Sequence, residues 1–171
     1  MFHVSEVLFY DPNMYDTIVF LKEDNSPLTG IVYSEHGQIG SFLNGSRYGL
    51  HRNWDENGKL FYECEFIDGK RNGTQKLYID GKIQYLTEYK DDKRHGVSKS
   101  WMNGNLFMEN NYKNDVSDGF SKMFETEESD YSGHKIGDLR SIGDSKNGKK
   151  NGVWVRYLRG KPWKIQLYRD D

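Results

Sequence analysis

The sequence predicts an all-β protein, an elongated single-layer antiparallel sheet built from tandem β-hairpins. Three observations carry this prediction: glycines recur about every 23 residues, Asn-Gly and Asp-Gly pairs recur between them, and aromatic residues make up 15% of the chain. Alanine, the best helix former, is absent from all 171 residues. The composition therefore disfavours a mainly helical fold.

The repeat is visible as four evenly spaced glycines, each followed five positions later by an aromatic residue. The glycines are Gly49, Gly73, Gly96 and Gly119, and the aromatics are Trp54, Tyr78, Trp101 and Phe124. Three of the aromatics are followed by the turn dipeptides Asn57-Gly58, Asp80-Gly81 and Asn103-Gly104. Such dipeptides favour two-residue hairpin turns in which both residues have positive φ. Each repeat is therefore expected to form one hairpin.

These turns also predict which residues face each other. A turn at Asn103-Gly104 pairs Trp101 with Leu106 and Lys99 with Met108. The repeat from Gly49 has one extra turn residue, so keeping Trp54 opposite Leu60 requires a β-bulge. Because one hairpin alone is marginally stable, successive hairpins are expected to add edge to edge into roughly a dozen strands, with the aromatic rows as the core.

The repeats divide the chain into four segments. Residues 1–29 precede the pattern, and their strand-like stretches 7–10 and 17–21 are expected to cap the first repeat. Residues 30–124 hold the hairpin repeats, 125–147 an acidic insertion and 148–171 a final repeat. Charge is distributed unevenly, since residues 146–171 carry eight basic and two acidic side chains in a chain of net charge −2.

Two segments show a family resemblance. Residues 73–82 and 152–161, each a glycine followed by alternating residues and a second glycine before lysine, resemble the MORN repeat, especially the variant common in bacterial proteins. The resemblance extends over residues 30–124 and 148–171. It implies a single-layer β-hairpin array, and it implies a role as an antitoxin or immunity protein of a toxin pair.

No enzyme signature is present, and neither a cofactor nor a metal site is expected. The five histidines are scattered, and Cys64 is expected to be a buried, inert thiol. Glu63 and Glu65 on either side of it are expected to be solvated charges on the opposite strand face. The best alternative for catalysis is Asp130, His134 and Asp138, whose closeness in sequence shows no geometry.

Two groups of residues are candidate partner-binding sites. The first, which we call the basic and aromatic ladder, places a base three positions after each repeat glycine and two before its aromatic: Arg52, Lys76, Lys99 and Lys122, with Trp54, Tyr78 and Trp101. The alternative is that the stems of these bases cover Tyr62, Tyr85 and Met108 while their charged ends reach water. The second group is acidic, Glu125, Glu127, Glu128 and Asp130, for which the alternative is a flexible solvated loop.

The expected function is non-enzymatic: an antitoxin or immunity protein that neutralises a bacterial toxin by direct contact. A membrane-surface or scaffolding module is the alternative, because the basic C-terminal segment and Trp154 and Trp163 suit a lipid interface. No nucleic-acid partner is expected. With no signal sequence or membrane-spanning stretch visible, a cytoplasmic location is expected.

Overall fold

The computed structural model describes residues 1–10, 18–128 and 133–169, and strands dominate it. The strands are β1 (Phe2–His3), β2 (Val7–Tyr10), β3 (Ile18–Leu21), β4 (Gly30–Ser34), β5 (Gly37–Leu43), β6 (Ser46–Trp54), β7 (Leu60–Ile67), β8 (Lys70–Ile79), β9 (Lys82–Lys90), β10 (Lys93–Met102), β11 (Asn105–Lys113), β12 (Val116–Phe124), β13 (Leu139–Lys146), β14 (Lys149–Leu158) and β15 (Lys161–Tyr168). The chain forms two compact units, which we describe separately: an N-terminal unit of residues 1–81 and 89–92, and a C-terminal unit of residues 82–88 and 93–171.

Thirteen of the strands form one sheet in the order β1-β4-β5 and then consecutively to β15. Strands β1 and β4 pair in parallel, whereas the successive pairs from β4 onward are antiparallel hairpins. The predicted fold class, an all-β single sheet of tandem hairpins, is confirmed. The predicted strands near the N-terminus form the separate hairpin β2-β3.

Two-residue turns join the strands at both ends of the hairpins. Asn103 and Gly104 have φ of 52° and 80°, so this predicted turn is confirmed, as is the turn at Asp80-Gly81 with φ of 50° and 73°. Asn57 does not share the positive φ, because residues 55–59 form a longer loop around the Asp55 carboxylate. The polar connectors between repeats are also tight turns, with positive φ at both residues: Asn44-Gly45, Asp68-Gly69, Asp91-Asp92, Asn114-Asp115 and Asn147-Gly148.

A β-bulge lies immediately before the aromatic residue of the hairpins. Trp54 faces Leu60 across the predicted bulge, and Trp101 faces Leu106, so both pairings are confirmed. The predicted pairing of Lys99 with Met108 is wrong. A second bulge between Ser100 and Trp101 shifts the register by one residue, so that Lys99 faces Glu109. A one-residue shift exchanges the faces of every side chain beyond it.

Each connector turn is hydrogen-bonded to the previous repeat. The amide of Asp92 donates to the carbonyl of Arg71 at 3.0 Å, and the equivalent bond recurs at the other connector turns. Asp92 also accepts from the Arg71 backbone amide and Nε, both at 3.0 Å, and the Arg71 guanidinium lies 4.0 Å from the centroid of the Tyr89 ring. In the C-terminal unit Arg94 makes the same contacts with Asp115 and Tyr112. These side chains therefore fasten successive repeats together.

The buried apolar core lies in the N-terminal unit and not along the aromatic rows. It contains Val7, Val19, Leu28, Val32 and Phe42, where the β2-β3 hairpin packs on the first strands of the sheet. The role of these strands as a cap stays a prediction. The predicted aromatic core is wrong, because Trp54, Tyr78, Trp101 and Phe124 are only half-buried. A single-layer sheet has no second layer to enclose both faces.

His51 and Cys64 are buried opposite each other on β6 and β7. The His51 ring lies over Gly40, between the edges of Phe42 and Phe66, and its Nε2 is 2.8 Å from the Ser41 carbonyl. Burial lowers the pKa of His51 to about 4, so the ring is neutral near pH 7. The predicted burial of Cys64 is confirmed, and burial raises the pKa of its thiol.

The acidic insertion is shorter than residues 125–147. Residues 139–146 form the regular strand β13, which pairs with both β12 and β14. The departure from the repeat is therefore confined to residues 125–138, which replace a two-residue turn between β12 and β13. The backbone of Glu125 closes this loop, because its amide donates to the Asp138 carbonyl at 2.9 Å and its carbonyl accepts from Gly137 at 2.8 Å.

Candidate partner-binding surface

In the N-terminal unit the basic and aromatic ladder is organised around one carboxylate. Glu63 on β7 faces Arg52 on β6 and Lys76 on β8. Its Oε1 is 3.0 Å from Arg52 Nε, and its Oε2 is 3.5 Å from Lys76 Nζ. The Glu63 side chain is only 14% exposed, so the expectation of a solvated charge is wrong for this residue. The two bases are held in place and remain about one-third exposed.

Tyr78 completes this cluster by donating its hydroxyl proton to Glu63 Oε2 at 2.8 Å. Burial alone would raise the pKa of Glu63, but the hydrogen bonds from Tyr78 and Arg52 and the charge of Lys76 lower it below its ordinary value. Burial and the bond to Glu63 raise the pKa of Tyr78 to about 12. The aromatic member of the ladder is thus part of the ion-pair cluster.

The C-terminal unit repeats this base-acid-base arrangement. Glu109 on β11 faces Lys99 and Lys122, with N–O distances of 3.3 and 3.8 Å, and it is 15% exposed. Lys122 also lies 4.6 Å from the centroid of the Phe120 ring. The charged ends of all four bases therefore contact a carboxylate as well as being partly exposed to water. We call the clusters around Glu63 and Glu109 the triads.

The triad of the C-terminal unit continues into an apolar row on the same face. Directly paired residues cross six strands, from β10 to β15, in the order Lys99, Glu109, Lys122, Ile142, Val155 and Ile165. On the last hairpin Val153 faces Leu167, and Val153, Ile165 and Leu167 are 53%, 68% and 59% exposed. We call these three side chains the last-hairpin patch. The alternation of the apolar residues Ile165 and Leu167 with the polar residues Lys164 and Gln166 was the sequence signal that could have identified it.

The acidic residues of the insertion do not act as one group. Glu125 turns inward and is only 17% exposed; its Oε1 lies 3.1 Å from His134 Nδ1 and 4.0 Å from Arg140 Nε. Glu127 and Glu128 are exposed to water, and Asp130 lies outside the described residues. Among the described members of this group, Glu127 and Glu128 therefore present their charge at the surface.

The catalytic alternative in the insertion is not assembled by the described residues. His134 contacts Glu125, whereas the Asp138 carboxylate accepts from the Lys135 backbone amide at 3.0 Å. Nε2 of His134 is buried and has no hydrogen-bond partner among the residues that the structure describes. His134 and Glu125 lie at the wall of an open cleft of about 720 Å³ in the C-terminal unit.

In the described part of the chain, no three His, Cys, Asp or Glu side chains are grouped so as to bind a metal ion. Nor do residues 1–10, 18–128 and 133–169 form a helix with the length and hydrophobicity of a membrane span. Comparison with models of known protein families gave no match, and comparison with curated proteins gave none either. Arguments about function therefore depend on the residues themselves.

Proposed function

We propose that this chain is a non-enzymatic binding protein of the antitoxin or immunity type, which neutralises a cognate toxin by direct contact. The observation that carries the proposal is the last-hairpin patch, Val153, Ile165 and Leu167, which continues the row of the Glu109 triad on one sheet face. Contiguous exposed apolar area on a folded protein is typical of protein–protein contact surfaces. A polar rim beside an apolar centre is also typical of such interfaces.

Charge supports a partner with an acidic contact surface. The last two strands and their turns carry an excess of basic side chains, namely Lys149, Lys150, Arg156, Arg159, Lys161, Lys164 and Arg169. Electrostatic complementarity across an interface favours association and discriminates against other partners. We therefore propose that the last-hairpin patch binds a toxin whose apolar contact area is bordered by carboxylates.

The triads favour binding of a partner because their basic side chains are already held in place. Ion pairs hold Lys99 and Lys122 to Glu109, so less side-chain freedom is lost when a partner docks on them. The N-terminal triad presents Arg52 and Lys76 in the same way. Together with the exposed Glu127 and Glu128, these residues are the candidate contacts beyond the patch.

The test is co-expression with the product of the neighbouring gene as the candidate toxin, followed by co-purification. The wild-type chain should restore growth and form a complex. The double variant Ile165→Asp and Leu167→Asp should lose both effects while keeping its β-sheet circular dichroism. The matched control is Gln166→Asp on the same strand, because Gln166 faces Trp154 on the opposite side of the hairpin. A chain that neither rescues growth nor forms a complex would exclude the proposal.

The alternative function is attachment to an anionic membrane surface. Trp163, which is 59% exposed between Lys161 and Lys164, favours it, since aromatic and basic side chains suit the lipid headgroup region. Salt-sensitive binding to vesicles containing phosphatidylserine, lost when the two lysines are replaced by glutamine, would support this alternative. Absence of vesicle binding together with toxin rescue would eliminate it.

A further inference from the structure

We infer that the cleft of the C-terminal unit binds a small ligand that joins a phosphate monoester to an aromatic ring, with a nucleoside monophosphate as the representative compound. The cleft lies on the face opposite the last-hairpin patch, because Trp154 alternates with Val153 and Val155 along β14. Such binding would be an additional property of the molecule, separate from the proposed contact with a toxin.

Small side chains create the floor of this cleft. Ser121, Gly143 and Trp154 belong to neighbouring strands, and the Trp154 ring lies over Gly143, where any β-carbon would overlap it. The Trp154 indole is held by a 2.7 Å hydrogen bond from Nε1 to the Asp144 carbonyl. In the next row Ser141 faces Arg156. Two serines and a glycine therefore leave a depression between larger side chains.

The lining of the cleft has more positive than negative charge. Arg140, Lys150 and Arg156 line it together with a single carboxylate, that of Glu125. Glu125 is paired with His134 and more distantly with Arg140, whereas Arg156 has no ion pair within the described residues. Lys150 lies over the Trp154 ring, 4.2 Å from its centroid, with no carboxylate contact in the described chain. The excess of about two positive charges matches a phosphate monoester dianion.

Two described residues of the insertion, Glu125 and His134, form part of the wall of the cleft. The backbone bonds between Glu125, Gly137 and Asp138 fix this wall, and Glu125 orients the His134 ring through Nδ1. In the tautomer that donates from Nδ1 to Glu125, Nε2 is an acceptor. A ligand hydroxyl group is a suitable donor to this buried atom, which has no partner in the described chain.

The size and the aromatic residues of the cleft indicate a ligand larger than a phosphate ion. A volume of about 720 Å³ is in the range of small-molecule sites. Tyr157 and the exposed Trp163 are further lining residues, and a planar ring can stack on either of them. Arginine is suited to bind phosphate oxygens through two parallel hydrogen bonds. We therefore assign the main contact with the phosphate group to Arg156.

Isothermal titration of the full chain with adenosine monophosphate, adenosine and inorganic phosphate tests this inference. Adenosine monophosphate should bind at least about tenfold more tightly than either fragment, and Arg156→Gln and Lys150→Gln should each weaken it about tenfold. Lys113→Gln, which removes a base outside the cleft, should leave the affinity unchanged. Undetectable binding at millimolar concentration, equal affinity for adenosine or for phosphate alone, or equal loss in the control variant would overturn the inference. Because the titration contains no toxin, its result is independent of the proposed function.

Discussion

At the scale of single residues, the repeat glycines do more than permit a turn. Gly96 has φ of 110° inside strand β10, and a β-carbon at this position would overlap the Glu88 carboxylate. That carboxylate accepts a 2.7 Å hydrogen bond from the Val97 amide. The glycine therefore provides both an unusual backbone angle and the space for a neighbouring side chain.

Gly96→Ala should lower the free energy of unfolding by about 2 to 4 kcal/mol, because strain at positive φ adds to displacement of Glu88. Gly104→Ala is the matched control, since Gly104 has φ of 80° but no atom within 4 Å of its added β-carbon. It should cost only about 1 to 2 kcal/mol. Urea denaturation measures both. Equal losses for the two variants would show that crowding by Glu88 contributes nothing.

His51 makes the N-terminal unit sensitive to acid. Its pKa is lowered from 6.5 to about 4 by burial, so the unfolded chain binds the proton more readily than the folded chain. The stabilisation is complete above pH 6.5 and is lost as pH falls toward 4, by about 3 kcal/mol at most. In His51→Gln this part of the pH dependence should disappear. An NMR titration in which the native His51 ring titrates near pH 6.5 would contradict the prediction.

At the scale of elements, aspartate replaces glycine in the two connector turns that contact the side chains of Arg71 and Arg94. Asp92 adopts φ of 65° and accepts two hydrogen bonds from Arg71. Asp115 and Arg94 form the equivalent pair. The turns at Gly69 and Gly148 keep the backbone bond without such a carboxylate. Aspartate at positions 92 and 115 thus has a structural cause, namely its hydrogen bonds to Arg71 and Arg94.

A double-mutant cycle of Asp92→Gly and Arg71→Gln should give a coupling energy of about 0.5 to 1 kcal/mol, because both side chains are partly exposed and water screens the pair. Asp92→Gly alone should cost less than Asp92→Ala, since glycine adopts the turn angle freely. Thermal unfolding of the variants provides the values. Additive effects of the two substitutions would exclude coupling between turn and arginine.

The Glu63 triad gives a second acid-sensitive element. The pKa of Glu63 is lower in the folded chain than its ordinary value of 4.5. The triad therefore stabilises the fold fully at pH values above 4.5, and this stabilisation is lost as the pH falls through the lower pKa of the folded state. Glu63→Gln should therefore cost about 1 to 3 kcal/mol at pH 7 and almost nothing near pH 3. Glu56→Gln in an exposed loop is the control. A difference between wild type and Glu63→Gln that persists unchanged at pH 3 would rule out a charge-dependent role.

At the scale of the whole molecule, the fold was more predictable than its surfaces. Turn dipeptides such as Asn103-Gly104 have local backbone requirements, so they predicted the hairpins without knowledge of the surroundings. The contact of Asp92 with Arg71 was not predicted, because the two residues lie in different repeats and their spacing alone does not show that they meet. The pairing of Lys99 with Glu109 was missed because a bulge shifted the register. The contact of Glu125 with His134 depends on loop geometry that residue spacing does not fix.

Uneven charge is a property of the molecule that can control how quickly it finds a partner. Residues 146–171 carry an excess of six positive charges, whereas the rest of the chain carries an excess of eight negative charges. If the proposed toxin approaches the last hairpin with an acidic surface, long-range attraction should raise the association rate, and salt should lower that rate about tenfold or more. The dissociation rate should change little, because rim charges act mainly on encounter.

The double variant Lys149→Glu and Lys161→Glu isolates this effect by stopped-flow measurement of complex formation. It should slow association and weaken the dependence on salt. Lys82→Glu with Lys90→Glu changes the net charge equally on exposed residues of another hairpin. If the rate followed net charge alone, both double variants would behave alike. A reduction confined to the first variant would place the encounter surface at the last hairpin, whereas a reduction confined to the second would contradict that placement.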